Sequence, residues 1–411
     1  MGSNKFIGGV ILMIGTVMGG GMLAMPIVSA STGFSLAALT LLALLMLSVI
    51  TGFLVLEVNL AMPREASSFS SMAEKTLGMP GKIATWFSYL FLLYITVTAF
   101  IIGGSDIILS FLKGSFDITI PYVPTAVIFT IVLGAAVFWS TKAVDYLNRS
   151  LFSIKGFLLV GFLVLITPKI DLAKLASGFS VTQAKFAAMA IPSFLCALCY
   201  QFFIPSLRLY IGDDYKKLKL IIVIGLSIST LFYLWWLATS LGVIPLTGKS
   251  SFTTLYQDHG MSVGKFTQLT VELSNNQWVT KFINGFTNVA MTTSFLGVSL
   301  GLFDFLADGF KRKDNRWGRL QTSLLTFIPP LLFALLFPGA FVTAISYSAV
   351  VQAVLCIILP VLMVYNLRKN GQYQSSYRVN CGNPTFIALL LCGAVLVVVA
   401  LFYVLGRLPG L

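Results

Sequence analysis

The sequence predicts an all-α polytopic membrane protein of eleven transmembrane helices. The first ten make a 5+5 inverted repeat with broken helices 1 and 6, and an eleventh follows. Three observations lead there. Of the 411 residues, 57% are hydrophobic and only 10% charged, whereas a soluble domain is roughly 45–50% apolar and about 25% charged. The apolar residues form continuous runs, not the alternating pattern of a transmembrane β-barrel. Two of these runs carry helix-breaking residues at mid-membrane depth.

Each span follows from its run. Phe6 to Leu56 contains no charged residue and is too long for one crossing of a core about 30 Å thick. Ser31-Thr32-Gly33 is the natural turn, giving helices 1 and 2. Uncharged runs at 83–105 and 118–141 give helices 3 and 4. Helix 5, 151–167, needs Lys155 inside the membrane. Runs at 186–207, 220–248 and 282–303 give helices 6 to 8. The run 320–367 splits at Phe337-Pro338-Gly339 into helices 9 and 10, and 384–407 is helix 11. The whole chain, 1–411, is thus one transmembrane domain, with a first five-helix set over 6–167 and a second over 186–367. The sets keep similar spacing apart from a loop from Pro245 to Thr280. Five is an odd number of crossings, so the second set starts from the opposite side, and such inverted repeats are common among membrane transporters.

Net charge is +13, but the basic residues lie in short clusters between apolar runs, as in cytoplasmic loops, and not in a nucleic-acid-binding pattern. Most of the 27 Lys and Arg fall on the side that carries the N-terminus. The N-terminus is therefore expected in the cytoplasm and the C-terminus on the outer side. No cleavable signal segment is expected, since Met1 to Lys5 runs straight into apolar sequence. Five scattered cysteines exclude a secreted disulfide scaffold.

The interruptions point to a site. Helix 1 carries GTVMGGGM, Gly15 to Met22, and helix 6 carries CYQFFIPS, Cys199 to Ser206. A glycine weakens a helix by roughly 1 kcal/mol relative to alanine. Pro205 removes a backbone donor and is expected to free the carbonyl of Gln201. Broken backbone at membrane depth is tolerated only where it is buried or lines a cavity. Glycines can also serve close packing, and a proline can make only a kink; corresponding breaks in both halves favour a binding site.

The residues then become recognisable. GTVMGGGMLAMP (Gly15–Pro26), TGF (Thr32–Phe34), LEV (Leu56–Val58) and LGMPGK (Leu77–Lys82) are followed by IPSL (Ile204–Leu207) and WWLATSLGVIP (Trp235–Pro245). TSFLGVSLGLFDFLAD (Thr293–Asp308), LTFIPPLLFALLFPGAF (Leu325–Phe341) and YRVNCG (Tyr377–Gly382) complete the set. Together they resemble the hydroxy and aromatic amino acid permeases of the amino acid–polyamine–organocation superfamily. Among these the chain looks most like bacterial tyrosine-specific permeases, with tryptophan permeases next. The resemblance implies proton-coupled import of an aromatic amino acid across a bacterial inner membrane, with no obligate protein partner.

A zwitterionic substrate needs two opposed partners. Unwound Gly19, Gly20 and Gly21 would offer N–H groups to its carboxylate. Carbonyls at Thr16 and in the Cys199–Phe203 break would accept its ammonium. Phe194, Tyr200, Phe202 and Phe203, with Tyr94 on helix 3, are candidates for an apolar pocket around an aromatic side chain. Gln201 and Asp106 are candidate partners for a phenol. Relatives commonly read Gly-Phe-His where this chain has Cys199, Tyr200 and Gln201, so no titratable role transfers to Gln201.

Ionisable residues within spans are functional candidates. Lys155, in NRSLFSIKGFLLVGF, resembles the helix 5 lysine of proton-coupled relatives, where an ammonium replaces sodium between helices 1 and 8. Thr292 and Thr293 would be its polar neighbours. A lysine about one turn inside the span also has the reach to snorkel to the surface. Glu57 either bonds the broken part of helix 6 or snorkels, and Asp106 sits near an interface. The single histidine, His259, falls in the outer loop, so no histidine-based metal site or catalytic triad is expected, and no cofactor. Cys196 and Cys199 form a C-x-x-C that reads as small-residue packing. Neither a nucleophile–base pair nor a phosphate loop is visible, which argues against an enzyme. The expected function is a secondary transporter for tyrosine by proton symport. A tryptophan, serine or threonine permease of the same fold is the nearer alternative, and a non-transporting sensor the more distant one.

Overall fold

The computed structural model describes residues 2–64, 68–176, 181–257, 262–312, 315–371 and 375–405; His259 lies outside them. Among the described residues there are helices and no strand. Within these residues ten helices are long and apolar enough to cross a membrane, and a bent pair raises the number to 11.

The bent pair is the first span: α1 (Gly2–Val17), a 3-10 turn (Gly20–Ala24) and α2 (Met25–Ser29), with a 46° bend. A tight turn centred on Thr32 leads into α3 (Phe34–Ala61). Gly33 takes φ 75° and ψ 160°, a region open essentially to glycine alone, which is why the expected turn falls there. The third span is α4 (Phe69–Phe116), which has non-helical geometry at Gly78. The stretch before helix 3, expected to be a loop, is therefore mostly helical. Then come α5 (Tyr122–Trp139) and α6 (Thr141–Ile166). α6 starts ten residues earlier than its apolar run, because Asn148 and Arg149 are carried on the helix itself. Lys155 consequently lies roughly four turns from the start of its helix, not one.

After α7 (Leu172–Leu175) the sixth span is α8 (Val181–Ala197), an unwound stretch, a 3-10 turn (Gln201–Phe203) and α9 (Ile204–Ile211). α10 (Tyr215–Val243) is the seventh span. The predicted outer loop contains two short helices, α11 (Phe252–Gln257) and α12 (Val263–Ser274). α13 (Gln277–Gly309) and α14 (Arg316–Leu336) follow. The tenth span joins α15 (Phe341–Ala353) to α16 (Leu359–Asn370) through a π turn (Val354–Ile358) just before Pro360. α17 (Asn383–Val404) is the last.

The packing brings the broken spans to the centre. α13 lies along α6 and α4, α10 along α1 and α3, and α15 along α4, α8 and α17. Two carbonyls that prolines leave without a donor are met by tyrosines. Pro329 leaves Leu325 O without its helical donor, and Tyr94 Oη donates to it at 2.9 Å. Pro338 does the same to Ala334 O, which accepts from Tyr122 Oη at 3.0 Å.

Candidate substrate site at the two broken helices

α1 stops at Val17 because the glycines after it favour no helix. Gly19 is extended (φ −100°, ψ −173°), and the chain re-enters helical geometry through the 3-10 turn. The last carbonyls of a helix have no internal partner and carry the negative end of its dipole. Here they are met from two other spans. Tyr233 Oη on α10 donates to Val17 O at 2.7 Å, and Lys155 Nζ on α6 donates to Met18 O at 2.8 Å. Lys155 is only 7% exposed, so it does not snorkel. Its ammonium caps the negative end of α1 and lies 5.3 Å from the Phe152 ring centroid.

The second break follows α8. Leu198, Cys199 and Tyr200 leave the helix, and Ala197 O also accepts from Tyr233 Oη, at 3.2 Å. The one phenol proton is shared between these two carbonyls, the shorter contact being to Val17 O, so a single buried phenol stands between both breaks. Leu198 O accepts from Ser48 Oγ of α3 at 2.7 Å. Gln201 turns away from the centre: its Oε1 accepts from Tyr200 N, and its Nε2 donates to Thr51 Oγ1 at 3.0 Å and reaches Ser48 Oγ at 3.4 Å. It holds the break against α3 and offers nothing to a phenol. The Gln201 carbonyl is not free either, since Ile204 N donates to it within the 3-10 turn. Tyr200 packs into a notch at Gly52, where a Cβ would stand 1.8 Å from Tyr200 Oη, and this draws the ring away from the centre.

Between the breaks lies a cavity of about 710 Å³. Of the residues singled out from sequence, Thr16, Gly19, Gly21, Cys199, Phe202, Lys155 and Thr293 line it. The others do not. Gly20 is buried beside it; Phe194 and Tyr200 are fully buried in the packing; Tyr94 is committed to α14; Phe203 and Thr292 lie outside the lining. Two of the three glycine N–H groups expected to hold a carboxylate already have acceptors: Gly19 N donates to Val17 O, and Gly20 N donates to Ser294 Oγ at 2.8 Å. Among the described residues the hydrogen bond of Lys155 goes to Met18 O and not to the threonine pair, and Thr293 Oγ1 donates to Val289 O at 2.9 Å.

Glu57 belongs to a different structure. Its carboxylate accepts from Arg368 Nε at 2.8 Å, Arg368 Nη2 at 2.7 Å and Val379 N at 2.7 Å. Arg368 also donates to Cys381 O and Val379 O. The pair pins α3 to the end of α16 and to the strap before α17; it touches neither break. Asp106 is likewise removed from the cavity. It accepts from Ser262 Oγ at 2.6 Å and Gly264 N at 3.0 Å, at the N-terminus of α12.

The aromatic wall comes from residues with no distinguishing sequence signal: Tyr89 and Phe100 on α4 and Phe152 on α6, together with Phe202. Tyr89 and Phe202 stand 5.8 Å apart, centroid to centroid. Ser294, Tyr233 and Gln352 were also missed. Ser294 follows the residue that was named, and the other two are ordinary polar residues on apolar helices. Lining cations are Lys155 and Arg149, with no acid among the described lining residues, so the cavity suits a carboxylate. Its lining reaches Ile11 and Leu12 of α1 and exposed Arg149, toward the face that carries the N-terminus. On the opposite side, Tyr256 Oη donates to Ile27 O, tying α11 to α2, and α12 packs on α4.

Comparison with known proteins agrees with this fold. A solved manganese transporter from Eremococcus coleocola superposes with a TM-score of 0.61 over 97% of this chain and 86% of that one, at 13% identity, a likeness of fold. Tyrosine-specific transport system 2 of Haemophilus influenzae is 34% identical, over 99% of this chain and 98% of its own length. A tryptophan-specific transport protein of Pseudomonas aeruginosa is 31% identical, over 98% of this chain and 96% of its own length. The sequence profile of the tryptophan/tyrosine permease family matches residues 2–400. Two broken spans around a central cavity and a match from end to end lead to one conclusion: the chain is a multi-pass membrane protein of the tryptophan/tyrosine permease family.

Proposed function

We propose that the protein imports an aromatic amino acid, tyrosine first among them, by proton symport across a bacterial inner membrane. The observation that carries this reading is the Lys155 ammonium on Met18 O, at the wall of a cavity bounded by both breaks. The substrate carboxylate sits at Gly20–Gly21, with Ser294 exchanging its Gly20 bond for the incoming anion. Its ammonium takes carbonyls at Thr16 and Cys199. Its ring lies among Phe100, Phe152 and Phe202.

A charged Lys155 is held by the α1 dipole, and loss of its proton weakens that hold. Protonation is thereby tied to the position of α1, which is what coupling requires. The helices around the two breaks rock against the rest in alternating access. With the N-terminus in the cytoplasm and the C-terminus in the periplasm, the cavity described here faces inward.

Tryptophan is the second reading for the cargo, favoured by relatives of similar identity that carry that name. The test is uptake of labelled tyrosine into proteoliposomes under an imposed pH or sodium gradient, with unlabelled tyrosine, tryptophan, phenylalanine and serine as competitors. Accumulation driven by the pH gradient and blocked by the aromatic competitors is expected. Accumulation driven by sodium alone rejects proton coupling, and competition by serine alone rejects the aromatic cargo.

A further inference from the structure

Two buried glutamines stand at the centre of the molecule, and they differ in one respect. Gln201 is 1% exposed and has partners at both ends of its amide. Gln352, on α15, is 6% exposed and lines the substrate cavity, yet it is nearly without partners. Its Nε2 makes one long contact, 3.5 Å to Cys196 Sγ, and its Oε1 is buried with no donor at all. A thiol is a weak acceptor, and a primary amide has two donors and two lone pairs to fill. Leaving a buried carbonyl unmade costs more than a made bond returns. None of the described residues donates to Gln352 Oε1. Ser348, the nearest hydroxyl through Cys196, spends its proton on Ile345 O at 2.6 Å.

We propose that Gln352 reads the polar edge of the aromatic substrate, its amide oxygen accepting from the phenol O–H of tyrosine or the indole N–H of tryptophan. This rests on the aromatic amino acid reading above and adds to it the residue that sets preference. Cys196, its one partner, is the nearest side chain to a Cβ built on Gly21, at 3.9 Å, so the amide stands close to the first break. The terminal torsion of a glutamine is broad and roughly two-fold. A half-turn about it places the oxygen where the nitrogen now stands, beside Cys196, which itself lines the cavity, and a ring donor then replaces the weak thiol contact. A neutral acceptor beside Cys196 suits a neutral donor on a ring. The substrate ammonium has the carbonyls of the breaks.

The experiment compares uptake of labelled tyrosine, tryptophan and phenylalanine by the full chain in proteoliposomes. Phenylalanine lacks the ring donor and is the reference. In the wild type, tyrosine is expected to have a lower KM than phenylalanine. Gln352→Leu should reduce that preference about threefold to tenfold. Gln352→Glu keeps an acceptor and should retain more of the preference. An unchanged tyrosine-to-phenylalanine ratio in Gln352→Leu overturns the proposal. So does an equal loss for all three amino acids, which would assign the oxygen to their common ammonium. If Gln352→Leu does not fold, the wild type still decides, since equal KM values for tyrosine and phenylalanine leave Gln352 nothing to read. Absence of any aromatic uptake by the wild type sinks the parent reading, a result distinct from uptake without preference.

Discussion

Lys155 is where charge meets a helix end. Its Nζ sits 2.8 Å from Met18 O, and the negative pole of α1 is the reason it stays there. Lys155→Ala should abolish accumulation driven by a pH gradient while substrate exchange across the vesicle continues. Full gradient-driven accumulation by that variant removes Lys155 as the coupling group. Gly20 makes a second case. A Cβ there would stand 3.0 Å from Phe100 Cε1 and 3.2 Å from Met291 Sδ, and overpacking of this kind costs about 1–3 kcal/mol. Gly20→Val should therefore lose uptake while still inserting in the membrane; wild-type uptake would exclude the first break as the binding site. Sequence alone singled out both residues, from a glycine triplet and a lone intramembrane lysine. It could not show that the Gly20 amide already has an acceptor, because that acceptor is Ser294, 274 residues away.

Between elements, two charge clusters hold the spans in register. Arg64, after α3, and Arg208, on α9, both hydrogen-bond Asp213 in the turn before α10. They hold its carboxyl below the usual carboxylate range. A carboxyl depressed on folding adds stability above its unfolded value, about 3.9, and that stability is lost as pH falls through the folded value. Asp213 is half exposed, so solvent screening limits the contribution to about 0.2–1 kcal/mol. Asp213→Asn should lower the melting temperature at neutral pH, and the deficit should shrink as pH falls below about 4. A deficit that persists in acid would mean that packing, not charge, is the source.

The Glu57–Arg368 pair is buried, with side chains 2% and 14% exposed. Breaking such a pair costs about 3 kcal/mol or more. Glu57→Gln should melt well below the wild type, and its folded fraction should still accumulate substrate from a pH gradient. Normal melting with lost coupling would return Glu57 to the ion path.

At the scale of the molecule, the cavity has a lining that reaches the face that carries the N-terminus and includes no residue of α11 or α12. Cys196 and Cys199 line it. In a variant with Cys381 and Cys392 replaced by serine, a membrane-impermeant thiol reagent should label the protein from the N-terminal side. Bound tyrosine should slow that labelling severalfold. Labelling only from the opposite side would reverse the assigned opening.

The spans, the turn at Gly33 and both interruptions were legible in the chain, since each depends on local composition: apolar length, a glycine-only torsion, a missing proline N–H. The identities of the wall residues were not. With 13% aromatics, composition cannot tell Phe100, which meets the cavity, from Phe194, which is packed away. Tyr94 looked free until Pro329, 235 positions on, was seen to leave it a carbonyl at Leu325. Sequence by itself determined that this chain crosses a membrane and breaks two of its helices, because a bilayer forces each segment to satisfy its own backbone. Tertiary structure decided which side chains serve the orphaned carbonyls, that Glu57 and Gln201 are ties, and that Gln352 is left open. Those roles follow from partners brought together across the bundle, and no local pattern encodes them.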